Sequence, residues 1–450
     1  MGGLTFLILF LLLMTLAALV PQLLRRFHIP AVVSMMITGM AIGPHGFDLV
    51  SRLNAVIGRG YPTEQLYTVI DAMGLLGLVF LMALAGMEVN LRILMSEKRA
   101  VGLLSVFTFA IPAAAGYAVY ALYQPSDILG SWVYASLFAS HSVGIVFPVI
   151  RELNVVRTRF GLAVLASTVI TDLLSLILLA IVVQLKRHES GGEVIGSISV
   201  FDQVDPSLFG HTFIPLFVLV IALYLIVAVW VLPTLLRRLL AHLEPNDDSR
   251  VTFFLMGLLI VVFVGELIGV SIIVGAFIAG IAFVRVPTFH ERGRILHKKI
   301  EGIGYGFVIP FLFLSIGMKS DLAILAEGPE NLMITLLTVV GLVGSKVFSG
   351  WAGLRLAGFS NKKAVCAGLM TVPQLSATLA AAAVALELEL LNPVFFNAIV
   401  VLSIVTTIPV PILVKLMIVK GKIQFDSVDD QLTPGLAGAE EQAEPDEELI

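Results

Sequence analysis

The chain has 450 residues, 58% of them hydrophobic and only 13% charged, whereas a soluble domain carries about 25% charged residues; a soluble enzyme is a poor reading. A net charge of −4 leaves no basic face for nucleic acid, and the basic residues stand in short clusters between apolar runs. The single cysteine, Cys366, can form neither an intramolecular disulfide nor a metal framework, and no cofactor is expected.

About 20 apolar residues cross a ~30 Å hydrocarbon core as a helix. The apolar runs predict an all-α polytopic membrane protein with thirteen spans, near 4–24, 30–46, 67–86, 98–122, 131–150, 160–185, 212–236, 251–267, 269–284, 300–317, 332–357, 362–387 and 393–418. The first run lacks a basic leader and is followed by Arg25 and Arg26, so it reads as a span and not as a cleaved signal peptide. Around Gly269 the separation of two spans rests on a few residues. With the N-terminus outside, 22 of the 28 Lys and Arg fall on the cytoplasmic side, 5 on the other and one, Lys346, within a span. So one-sided a split is what the positive-inside rule demands, and it predicts N-out, C-in. Residues 1–420 therefore form the transmembrane domain, and 421–450, with nine acidic residues and too few apolar ones to fold alone, an acidic disordered cytoplasmic tail.

An ionisable side chain near the bilayer centre costs at least ~2.5–3.5 kcal/mol, so Asp172 and Lys346, each near mid-depth in its span, require an explanation. A structural buried ion pair is one reading; a transport role is the favoured one. Two other spans carry polar or helix-weakening groups at similar depth: Ser140-His141-Ser142 with Gly144 and Pro148, and Thr371-Val372-Pro373-Gln374. Such interruptions predict broken helices, whose freed carbonyls and amides can coordinate an ion at the midplane. His141 has either a role in the ion path or a simple backbone hydrogen bond. Ser140, Ser142 and Thr171 could equally bond back to their own helices. Asp71 and Glu88 lie near the two ends of one span, within reach of water, and receive no chemistry.

Four stretches carry a family resemblance over roughly residues 10–418: Ile29-Pro30-Ala31-Val32-Val33 leading to Gly39 and Gly43-Pro44; Leu84-Ala85-Gly86-Met87-Glu88-Val89; Gly275-Ala276-Phe277-Ile278-Ala279-Gly280; and Phe313-Leu314-Ser315-Ile316-Gly317-Met318. In this order and spacing the chain resembles the monovalent cation:proton antiporters, in the branch of bacterial sodium/proton antiporters and potassium-efflux systems. The resemblance implies inverted repeats, a dimerisation part, a core part with two broken helices crossing near an essential aspartate, a homodimer, and residence in a bacterial plasma membrane. It implies that Asp172 binds Na+ or K+ and H+ in turn, and that Lys346 is the family's intramembrane lysine. Thr171, Ser142 and His141 would add ligands, and Ser140, Pro373 and Gln374 would form the broken-helix backbone. The chain departs from the electrogenic pattern of two adjacent acids, having Thr171-Asp172, and reads Pro373-Gln374 where some members carry an acid. One carboxylate thus remains, and the expected activity is one-for-one, electroneutral exchange by alternating access. A channel-like pore and a proton-coupled symporter on the same scaffold are the alternatives; paired acids, a metal cluster or a nucleophile-base set for a membrane enzyme are not found.

Overall fold

The computed structural model describes residues 2–27, 29–57, 63–87, 98–142, 146, 149–150, 153, 155, 158–189, 213–243, 247–270, 272–286, 294–407, 409–420 and 423; among them there is helix and turn but no strand. Glu88, Val89, Gly144, Pro148 and the acidic stretch 424–450 lie outside the described residues. In chain order the helices are α1 (Gly2–Leu24), α2 (Ala31–Ile42), α3 (Leu49–Ile57), α4 (Thr63–Met87), α5 (Lys98–Tyr123), α6 (Ile128–Ala139), α7 (Arg159–Glu189), α8 (Phe213–Leu243), α9 (Asp247–Leu267), α10 (Ile272–Val284), α11 (Arg294–Ile303), α12 (Ile309–Lys319), α13 (Pro329–Leu356), α14 (Asn361–Met370), α15 (Ser376–Glu387), α16 (Pro393–Thr407) and α17 (Pro409–Lys420). Among the described residues nine helical stretches are long and apolar enough to cross a membrane, and four shorter apolar helices accompany them. Two of those short helices, α6 and α15, are halves of interrupted spans.

Several boundaries have a direct chemical cause. The separation of α9 from α10 turns on Gly269, which adopts φ +77°, while Val270 N–H returns to Gly265 O at 2.8 Å and Gly269 N–H to Glu266 O at 3.0 Å. This glycine C-terminal motif satisfies the last carbonyls of α9. A short helix, α3, stands in the 47–66 connection where the hydropathy reading has a loop; its apolar residues Leu49, Val50 and Leu53 pack against α1 and α4.

The helices sort into two groups. Helices α5, α6, α7 and α13 to α17 pack on one another, as do α1 to α4 with α8 to α12, and the two groups join sparsely, through α7 with α8 and α10 and through α15 with α4. Within the second group backbones touch. A Cβ on Gly39 of α2 would collide with Leu314 O of α12, and one on Gly317 with Met36 O. Likewise a Cβ on Gly86 of α4 would strike Phe277 O of α10, and one on Gly280 would strike Ala83 O. In lipid, where apolar side chains gain nothing by leaving solvent, such close small-residue packing holds helices together. The outward faces of α8 and α9 expose Leu219, Leu223, Trp230, Leu259 and Phe263, an apolar surface suited to hydrocarbon and not to water.

Candidate functional site

The two interruptions meet in the first group. Helix α6 ends at Ser140, which turns extended (φ −62°, ψ 164°), and residues 140–142 run on without helix. Helix α14 ends at Thr371, and residues 372–375 separate it from α15. Pro373 accounts for this second break: it has no N–H to donate and pushes Val372 out of helical geometry. The peptide groups so released are served by side chains of α16. Gln374 N–H donates to Thr406 Oγ1 at 3.4 Å, and Thr407 Oγ1 donates to Gln374 O at 3.5 Å.

Side chains lock one break to the other. Gln374 Nε2 donates to Ser140 O at 2.8 Å; Ser140 Oγ lies 3.1 Å from Gln374 Oε1 and 2.7 Å from Thr378 Oγ1. Thr378 also donates to Gln374 Oε1. Gln374 therefore acts as a two-sided connector, offering donor and acceptor together as only an amide side chain can. All these groups are fully or nearly fully buried, so each bond replaces one that water cannot supply.

Lys346, wholly buried in α13, reaches the open end of α6. Its Nζ donates to Ser140 O at 2.6 Å and Ala139 O at 2.9 Å, and lies 3.4 Å from His141 Nε2. An ammonium has three N–H groups, and here it finds three acceptors. Two of them are carbonyls at a helix C-terminus, where the backbone dipoles concentrate negative charge. A second bond, Tyr134 Oη to Thr338 Oγ1 at 2.7 Å, ties α6 to α13 further along.

The histidine connects this lysine to α7. His141 Nδ1 is 2.5 Å from Thr171 Oγ1, which itself donates to Ser167 O at 2.9 Å or Thr168 O at 3.0 Å. With Nε2 accepting from the ammonium, donor and acceptor balance places the ring proton on Nδ1, donated to Thr171. The backbone N–H of His141, freed by the break, donates to Asp172 Oδ1 at 2.7 Å. Asp172 is 4% exposed, and among the described residues its other carboxylate oxygen receives no hydrogen bond from the protein, while the buried Ser142 Oγ has no partner. Two oxygens are thus uncommitted, one charged and one neutral, of the kind that hard monovalent cations take.

All eight residues singled out from the sequence, Ser140, His141, Ser142, Thr171, Asp172, Lys346, Pro373 and Gln374, fall in this one region. One reading needs correction. No ion pair joins Lys346 to Asp172 among the described residues, because the ammonium is taken by the α6 carbonyls and His141. Thr171 reaches Lys346 through the imidazole. Thr378, Thr406 and Thr407 were missed. Thr378 sits one helical turn beyond Gln374, a spacing that could have flagged it, whereas Thr406 and Thr407 look in sequence like ordinary hydroxyls in an apolar span.

Comparison with known proteins agrees with this architecture. The family model described as sodium/hydrogen exchanger, transmembrane, matches residues 10–420. The chain is 36% identical over 406 residues to the probable Na(+)/H(+) antiporter 3 of Methanocaldococcus jannaschii, covering 90% of this chain and 95% of that one. It is 28% identical to the Na(+)/H(+)-K(+) antiporter GerN of Bacillus cereus, with 87% and 90% covered. Its fold matches the structure of the sodium proton antiporter MjNhaP1 of Methanocaldococcus jannaschii with a TM-score of 0.64 at 15% identity, over 93% of this chain and 98% of that one. An aspartate held by a broken helix inside a membrane fold, and a family match spanning both interrupted helices, lead to one conclusion: the chain is an integral membrane protein of the sodium/hydrogen exchanger family.

Proposed function

We propose that this protein exchanges one Na+ or K+ for one proton per cycle, electroneutrally and by alternating access, with Asp172 as the shared carboxylate. The observation that carries this reading is the division of labour at the site. Lys346 is committed to the end of α6, and Gln374 stands where a second acid would sit, so among the described residues Asp172 is the one carboxylate placed at the broken helices. A carboxylate binds a proton or a cation well, but not both together. Competition for Asp172, with Ser142 Oγ and backbone oxygens as neutral ligands, then couples the two fluxes without a second titrating group.

Alternating access would be a movement of the α5–α7 and α13–α17 group against the other, along the sparse boundary between them. Two inverted repeats within thirteen spans are supported by the packing. Exchanging the second span for the ninth and the tenth for the third turns the α2–α12 contact into the α10–α4 contact, and both are closed by glycine pairs. The fifth span and its counterpart, the twelfth, are the two broken ones. The charge distribution supports an N-out, C-in orientation in a bacterial plasma membrane with the acidic tail in the cytoplasm, and the family resemblance supports a homodimer.

The test is reconstitution in liposomes. With a pH gradient imposed, added Na+ or K+ should dissipate it, and clamping the membrane potential should leave the rate unchanged. Turnover driven by membrane potential would overturn the one-for-one stoichiometry, and flux of a cation without proton movement would point to a channel.

A further inference from the structure

A second charged cluster lies away from Asp172, on the boundary between the two helix groups. Lys319 at the end of α12 donates to Glu387 at the end of α15 and lies 3.2 Å from Asp71 Oδ1 of α4. Ser315 Oγ, one turn before the lysine, donates to the same Asp71 oxygen at 2.6 Å. Helices α4 and α12 belong to one group and α15 to the other, so the lysine bridges two bodies that otherwise touch sparsely. The three charged side chains also line a cavity of about 310 Å³ whose wall includes Ala380 and Ala383 of α15. Ala380 lies about 10 Å deeper along the helix than Glu387. It is two residues from Thr378, which bonds Ser140 at the break. The cavity wall thus extends along α15 from the charged cluster to nearly the depth of the break beside Asp172.

We propose that Lys319, held between Asp71 and Glu387, is a clasp that closes this mouth of the route to Asp172 and must release before the site can face that side. By the charge count this is the outer face. Any displacement of α15 relative to α4 and α12 pulls Glu387 from Lys319. The clasp therefore biases the exchanger toward the state closed on this face, and Asp71, anchored by Ser315, keeps the ammonium in place when Glu387 leaves. Because the pairs are partly exposed to water, with side-chain exposures of 25% for Lys319, 45% for Asp71 and 53% for Glu387, each contributes modestly, as suits a contact that opens in every cycle.

This inference rests on the alternating-access reading, and the experiment separates the two. In a Cys366→Ser background, Ala380→Cys, with Ala383→Cys as a second reporter, is labelled from the Lys319 face by a membrane-impermeant maleimide. Lys319→Glu should raise the labelling rate about three- to tenfold, and adding Glu387→Lys together with Asp71→Asn, which removes the like charge the new carboxylate would face, should return it toward the starting rate. In proteoliposomes Lys319→Glu should lower the half-saturating cation concentration on that face and raise it on the opposite one. Unchanged labelling in Lys319→Glu, failure of the charge exchange to restore it, or equal shifts on both faces would overturn the clasp. Absence of cation-coupled proton flux in the wild type would overturn the exchanger reading instead, while the labelling still decides the clasp.

Discussion

Replacing Asp172 by asparagine separates the chemistry of the site from its architecture. Asparagine retains an oxygen at the Oδ1 position to accept the His141 N–H at 2.7 Å, and its amide occupies the place of the second oxygen at equal volume. Neutralising the acceptor weakens that bond by about 1 kcal/mol. Against this stands removal of a buried charge whose placement at mid-membrane costs at least roughly 2.5–3.5 kcal/mol. Lys346 keeps its three hydrogen-bond partners but loses the Coulombic attraction of the Asp172 carboxylate, which offsets part of that relief. The variant should therefore unfold in detergent close to the wild-type temperature, while cation-driven proton flux in proteoliposomes falls to that of protein-free liposomes. Remaining coupled flux would refute Asp172 as the shared site. A loss of stability of about 2 kcal/mol or more would refute the reasoning in another way, by making the carboxylate a structural anchor.

Three further outcomes follow from the same geometry. Lys346→Met takes the ammonium from the carbonyl of Ala139 and the imidazole of His141 in a dry interior and leaves Ser140 O with the Gln374 amide as its remaining donor, and should cost about 2–4 kcal/mol, read as a lowered unfolding temperature; a wild-type temperature would contradict the capping role. Gln374→Leu removes the connector between the two breaks and should destabilise by roughly 2 kcal/mol, while Gln374→Glu, which takes from Ser140 O one of its two donors, should not restore the wild-type value. Gly86→Ala forces a methyl into the backbone of α10 at Phe277, so it should cost about 1–3 kcal/mol in thermal unfolding, whereas Gly344→Ala, where a Cβ meets nothing within 4 Å, should be neutral or slightly stabilising.

The membrane class and the apolar segments were legible in the sequence, as were the polar residues that the structure gathers around the two breaks. Apolar length reports spanning directly, and a charge at mid-depth is too costly to be incidental. Pro373 and the Ser140-His141-Ser142 run announced the two breaks, because a missing N–H and competing hydroxyls act on the local backbone. The four stretches that carried the family resemblance have a different meaning in space. Gly39, Gly86, Gly280 and Gly317 are points where backbones of separate helices meet, so those stretches report packing and not ion chemistry. Asp71 read as the water-reached end of its span and became part of a cluster with Lys319 and Glu387 only when α4, α12 and α15 came together.

By itself, then, the sequence determined which segments enter the membrane and which polar groups they must carry in with them, since both follow from the cost of placing each residue in hydrocarbon. Partnership was decided by tertiary structure alone. Lys346 could have met Asp172, but the carbonyls at the end of α6 concentrate negative charge where its ammonium arrives, and His141 interposes its ring toward Thr171. Hydrogen bonds reach only about 3 Å, so contacts between residues some 200 positions apart, as between Ser140 and Lys346, exist only once the helices are packed.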